Sequence, residues 1–186
     1  MTVTTPEQRF PLAESFAAAA PSDHRGTPGD PERRNLEEAI AHAWSVAREA
    51  WPALEVAAAD FAAHLGRVSG DAANPSAAIE ELATTDLYLA CAALRGDQRA
   101  LTLIEAHAFG EIQSAAAAVR ASDSDAEEVK QIVRTILFVA DVARAASIGE
   151  YAGRGTLRGW VRVIATREFL RLRRKASKET RSRSTS

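Results

Sequence analysis

The chain has 186 residues, of which 46% are hydrophobic, room for one domain of ordinary size plus a smaller helical piece. Its lone cysteine, Cys91, excludes an internal disulfide and fits a reducing compartment. The net charge of −2 conceals a split: residues 154–183 hold eleven Lys and Arg against two Glu, while the 153 residues before them hold twelve basic and twenty-three acidic side chains.

Alanine dominates the apolar residues, and aromatics make up only 6% of the chain. Such Val- and Ile-poor segments favour helix over strand, so an all-α fold is expected. Residues 1–34 contain five prolines and no apolar periodicity, the mark of a disordered segment. Within them, the stretch Phe10–Ala20 has Pro11 and Glu14 and no basic leader, so it does not read as a signal peptide. No apolar run approaches transmembrane length. A soluble cytoplasmic protein with no membrane partner is expected.

Asn35 caps a predicted helix running to about Ala50, with Leu36, Ile40, Ala43, Trp44 and Ala47 on one face. Pro52 breaks it. A second predicted helix, from Leu54 to Leu65, presents Val56, Phe61 and Leu65. After a loop at Ser69–Pro75, a short helix over 76–83 completes an acidic helical subdomain, residues 35–83, to which the sequence attaches no role.

Thr84 or Thr85 caps the next predicted helix, which Gly96 ends after Leu94. Asp97 then caps a helix spanning about 98–121, with Leu101, Ile104, Ala108, Ile112, Ala115 and Ala116 along one stripe. Asp125 opens another, its dipole complemented by Glu127 and Glu128, and its apolar face formed by Val129, Ile132, Val133, Ile136, Leu137 and Ala140. A loop from Ser147 to Gly155 carries three glycines. Thr156 caps a final basic helix over 157–175, with Leu157, Trp160, Val161, Ile164 and Leu170 toward the core. Residues 176–186 read as a basic flexible tail.

A concentration of Lys and Arg of this kind suits a polyanion, because each contact with a phosphate releases condensed counterions. A solvated basic face accounts for the same charges. The loop glycines let a nucleic-acid backbone approach, or they simply make the loop flexible. Tyr151 offers a stacking face worth roughly 1–3 kcal/mol per base. Arg154, Arg158 and Arg162 recur at four-residue spacing as one row, with Arg167, Arg171 and Arg174 as a second. Trp160 lies on the apolar stripe and serves either the core or a surface for DNA. His24, His42, His64 and His107 are scattered, with no Cys/His cluster at zinc spacing. Neither a phosphate-cradling glycine loop nor a nucleophile beside a base is evident. No metal, cofactor or enzymatic activity is expected.

Residues 85–175 resemble region two of bacterial sigma factors of the sigma-70 family, particularly the extracytoplasmic-function class. DLYLACAALRGD, Asp86 to Asp97, is similar to that family's opening helix and its junction into the second. DAEEVKQ, Asp125 to Gln131, resembles the helix that binds core polymerase, with Ile132 standing where the family usually has Glu. YAGRGTLRGWVRVIA, from Tyr151, resembles the promoter-melting loop and the helix reading the minus-ten element.

The resemblance implies a sigma region 2-type bundle of three to four helices over residues 84–175, acting in transcription initiation. Asp125, Glu128 and Gln131 would meet the coiled coil of the largest subunit of core RNA polymerase. Tyr151, Gly153, Arg154, Arg158, Trp160, Arg162, Arg167, Arg171 and Arg174 would meet the non-template strand of promoter DNA. An anti-sigma factor is a further partner the resemblance brings with it. The resemblance covers region two alone, and no helix-turn-helix module for the minus-thirty-five element is seen: either that module is missing by truncation, or the protein works with region two alone and recognition would rest on one element. The competing readings are a non-initiating sigma-like decoy or anti-sigma-binding module, and a non-specific DNA-binding helical domain.

Overall fold

The computed structural model describes residues 9–21, 29–69, 71–140 and 145–183, with side chains through Lys178. Every regular element among them is helical. They are α1 (Pro11–Ala19), α2 (Asp30–Ala50), α3 (Ala58–Ser69), α4 (Pro75–Glu80), α5 (Thr84–Leu94), α6 (Gln98–Ala108), α7 (Gly110–Val119), α8 (Asp123–Phe138) and α9 (Leu157–Arg183). Among the described residues, no helix is long and apolar enough to cross a membrane. The chain divides into two compact units, Met1–Cys91 and Ala92–Ser186.

The first unit corrects the expectation that residues 1–34 are disordered. Residues 1–8 and 22–28 of that segment lie outside the described residues, but Pro11 starts a helix and Asp30 starts another. Burial is the physical reason: Phe10, Ala13 and Phe16 are each 5% exposed or less. Glu37 of α2 completes α1 by accepting from the backbone N–H groups of Leu12 and Ala13 at 2.9 and 2.8 Å, two donors that the first turn leaves without helical partners. α1 packs against α3, where a Cβ on Gly66 would stand 2.2 Å from the Phe16 carbonyl oxygen. Only glycine admits that approach.

The boundary expected before residue 84 falls inside α5 instead, between Cys91 and Ala92. Side chains of α5 are tied to the first unit. Tyr88 Oη accepts from Val56 N–H at 3.0 Å and donates to the Leu54 carbonyl at 3.3 Å, and its ring meets Phe61 edge-on at 5.5 Å. Trp51 Nε1 donates to the Thr85 carbonyl at 3.0 Å. Phe61, Leu65, Leu87, Leu89 and Ile40 are fully enclosed.

In the second unit, Gly96 takes φ +84 and ends α5, with Gly96 and Asp97 N–H groups donating back to the Ala93 and Ala92 carbonyls. Asp97 caps α6. The single helix expected over 98–121 is broken into α6 and α7 at Phe109. This side chain is 7% exposed and stacks on Phe138 at 6.3 Å, and the backbone tightens so that Ile112 N–H donates to its carbonyl. Gly110, a weak helix former, makes the kink cheap there. α8 begins at a capping box in which Ser122 and Asp125 bond reciprocally. Ala126, Val129, Val133 and Leu137 are its buried face, while Ala140, expected there, is exposed.

α9 packs on α7 and α8 through Leu157, Val161, Ala165 and Phe169, each 2% exposed or less. Leu170, expected in the core, is 39% exposed. The four-residue step from Leu157 carries the buried stripe to Phe169 and turns its neighbour outward. The final helix, expected to end at 175, continues to Arg183 with no proline or glycine to stop it, and residues 184–186 of the expected tail lie outside the described residues.

Candidate nucleic-acid interface

The loop before α9 is a folded element. Residues Ser147–Glu150 form a turn of 3-10 helix, with Ser147 and Ile148 each 2% exposed. Gly153 and Gly155 take φ +70 and +105, conformations that L side chains avoid. Gly155 N–H donates to the Gly153 carbonyl at 3.0 Å. Thr156 Oγ1 then accepts from Gly159 N–H at 3.1 Å, capping α9.

Tyr151 departs from its expected role. Its side chain is 2% exposed, its hydroxyl donates to the Gly155 carbonyl at 2.6 Å, and its ring lies 5.5 Å from that of Trp160. It ties the loop to α9, and its face is covered rather than offered to a base. Gly153 is likewise buried, so of the three loop glycines only Gly149 and Gly155 reach the surface. Trp160 is half-buried, with the Tyr151 ring beside it.

The six named arginines, Arg154, Arg158, Arg162, Arg167, Arg171 and Arg174, are all exposed. They do not form one surface. At about 100° per residue, Arg162 stands roughly 40° from Arg158, whereas Arg167, Arg171 and Arg174 stand roughly 160–220° away. The buried stripe lies to one side of both rows. Arg158 donates through Nε and Nη2 to Glu111 Oε1 at 3.1 and 2.7 Å, and Arg162 Nη1 lies 3.8 Å from Glu111 Oε2. In the other row, Arg171 pairs with Glu168 at 3.3 Å.

Glu111 was missed by sequence reasoning. It is the one carboxylate of a helix that sequence periodicity merges with its predecessor, and nothing local links it to a side chain on α9. Arg173, Lys175 and Lys178 extend the exposed charge along α9. Val163 and Leu170 are exposed among them at 47% and 39%. Such apolar side chains flanked by cations suit a partner with both phosphates and flat bases.

On α8, the three residues expected to face polymerase differ in their commitments. Asp125 spends its carboxylate on the cap: Oδ2 accepts from Ser122 N–H at 3.1 Å and from Ser122 Oγ at 2.7 Å. The bond from the Ser122 hydroxyl is the main cause holding its carboxyl below the ordinary range. Gln131 is exposed, but its Oε1 accepts from Arg134 Nη1 at 3.0 Å. Arg134 is in turn held by Glu105 of α6, through Nε at 2.6 Å and Nη2 at 2.5 Å. This fork is the largest cause lowering the Glu105 carboxyl. Glu128 is exposed, and Ile132 beside it is half-buried. No group of three or more His, Cys, Asp or Glu able to hold a metal occurs among the described residues.

No protein-family model, curated protein or solved structure matches this chain.

Proposed function

We propose that this chain is a sigma-factor-type transcription initiation protein of region two type, binding core RNA polymerase and recognising and melting minus-ten promoter DNA. The observation that carries the reading is the exposed cationic surface of α9 directly after a loop built on left-handed glycines. Backbone contacts through Arg158 and Arg162 position the strand, and counterion release supplies affinity. With Tyr151 enclosed, the exposed Val163, between the two arginine rows, takes the part of the surface on which an unstacked base rests. Glu128 and the outer side of α8 supply the polymerase contact, and Asp125 shapes that surface through the cap.

A second reading draws on two specific observations. The covered Tyr151 removes the best stacking face, and the two arginine rows diverge around α9, so one strand cannot lie along both. These favour a non-initiating interaction protein that occupies the sigma site on polymerase or engages an anti-sigma factor.

Promoter-directed transcription by core polymerase with the full chain, beside direct polymerase binding, separates the two. Polymerase binding with initiation that is lost in R158A/R162A supports the sigma reading. Polymerase binding without initiation supports the decoy. Absence of polymerase binding removes both and leaves a basic nucleic-acid-binding domain.

A further inference from the structure

α7 and α9 share one acidic side chain. Glu111 opens α7 with its side chain 14% exposed, whereas Arg158 and Arg162, which reach it, are 56% and 53% exposed. Arg158 turns its Nε–Nη2 edge onto the carboxylate, at 3.1 and 2.7 Å. A guanidinium carries five N–H donors in a planar fork, so the Nη1 side of Arg158 is left for another acceptor. Arg162 stands four residues on, one of its terminal nitrogens 3.8 Å from the other carboxylate oxygen. Two guanidiniums around one carboxylate leave one positive charge in surplus, and an oxyanion is its complement.

We propose that Arg158 and Arg162 form a seat for a single phosphate group, with Glu111 as the positioning residue behind them. The seat rests on the reading of α9 as a DNA-facing helix, which identifies the phosphate as a phosphodiester of a nucleic-acid strand. The phosphate binds the outward edges of the two guanidiniums. Were it to pull them away, Glu111 would be left largely enclosed with its charge unmatched, which is costly. Without Glu111, both long side chains would have to be ordered at the moment of binding, and affinity would fall by that ordering.

The full chain, as wild type, R158A/R162A, E111A and E111Q, is titrated with a fluorescent thymidine oligonucleotide and, separately, with inorganic pyrophosphate. The Arg158 Nε–H signal is followed by 1H–15N spectroscopy. R158A/R162A should weaken oligonucleotide binding by about tenfold or more, and E111A by about threefold or more. E111Q should fall between E111A and wild type, because its amide oxygen still accepts from Arg158. The Arg158 Nε–H signal should persist in the complex.

Equal or tighter binding by E111A, at an unchanged melting temperature, overturns the positioning role and makes Glu111 a mere competitor. Loss of the Nε–H signal on adding oligonucleotide means the phosphate displaces Glu111, and overturns it too. Oligonucleotide binding at these arginines without promoter-directed transcription upholds the seat and sinks the initiation reading alone. Pyrophosphate bound there without oligonucleotide binding upholds the seat for a free phosphate and removes the strand. Binding of neither ends the proposal.

Discussion

The Tyr151 hydroxyl donates to the Gly155 carbonyl at 2.6 Å, closing the loop that leads into α9. The bond spans a stretch whose glycines hold φ +70 and +105, so the ring and the two turns fix one loop conformation together. Tyr151→Phe should destabilise the second unit by about 1 kcal/mol, the usual net loss of one such bond. Nucleic-acid affinity should stay within about twofold of wild type, because the ring is covered. A loss of binding with no change in urea midpoint would return Tyr151 to a direct role.

At Gly66 the backbone of α3 runs close against that of α1. A Cβ there would lie 2.2 Å from the Phe16 carbonyl oxygen and 3.0 Å from its carbon, and backbone cannot rotate aside as a side chain can. Gly66→Ala should cost about 1–3 kcal/mol through overpacking. It should also loosen α1, so that chymotrypsin reaches Phe16, which is 3% exposed in the native protein. Unchanged stability and unchanged cleavage would argue against the seating of α1 on α3.

Arg120 ends α7 in the left-handed region, at φ 55 and ψ 45, with its N–H donating to Ala116 and Ala117 carbonyls. A left-handed conformation costs an L residue roughly 1–2 kcal/mol, partly offset for glycine by its greater unfolded-state entropy. Arg120→Gly should therefore stabilise the second unit by up to about 1 kcal/mol, read as a rise in melting temperature. A fall would show that the Arg120 side chain makes a contribution larger than the backbone relief.

His64 sets a pH dependence. It is 1% exposed, and its Nδ1 lies 3.3 Å from Arg67 Nη2. Since a guanidinium only donates, Nδ1 is the acceptor and the proton sits on Nε2, an atom with no hydrogen-bond partner among the described residues. Burial, aided by the Arg67 charge, pulls the pKa from 6.5 down to about 4. The folded state thus favours neutral imidazole. Stability is full above about pH 6.5 and falls as the unfolded chain takes up the proton, until the folded protein titrates near pH 4. The loss across that window is roughly 3 kcal/mol, and urea melts between pH 7 and pH 4 should record most of it. His64→Leu should flatten the profile. A profile unaltered by that substitution would place the titrating group elsewhere.

Legibility followed the range of the interactions. Gly96 as a helix stop and Asp97 and Thr156 as caps were evident because each acts on backbone within a few residues. The break at Phe109 was hidden, since alanine-rich periodicity runs on through Gly110 and only the Phe109–Phe138 stack shows why the chain turns. Similarly, five prolines disguised α1, a helix whose N-terminus is capped from Glu37 and whose aromatic face is covered by α3. The arginine rows were visible as spacing. Their divergence around α9 was equally implicit in the helical period, but which row meets a carboxylate was not.

Composition and local signals fix that this protein is helical, that α5 stops at Gly96, that α6 and α9 start at the caps Asp97 and Thr156, and that the cations gather in one terminal segment. Those properties depend on composition, the 3.6-residue period and short-range capping. Tertiary structure decided that Tyr151 is enclosed and that Glu111 holds Arg158 across a separation of 47 residues. Burial and ion pairing are properties of neighbours in space, and a helical period places a side chain on a face without saying what that face will meet.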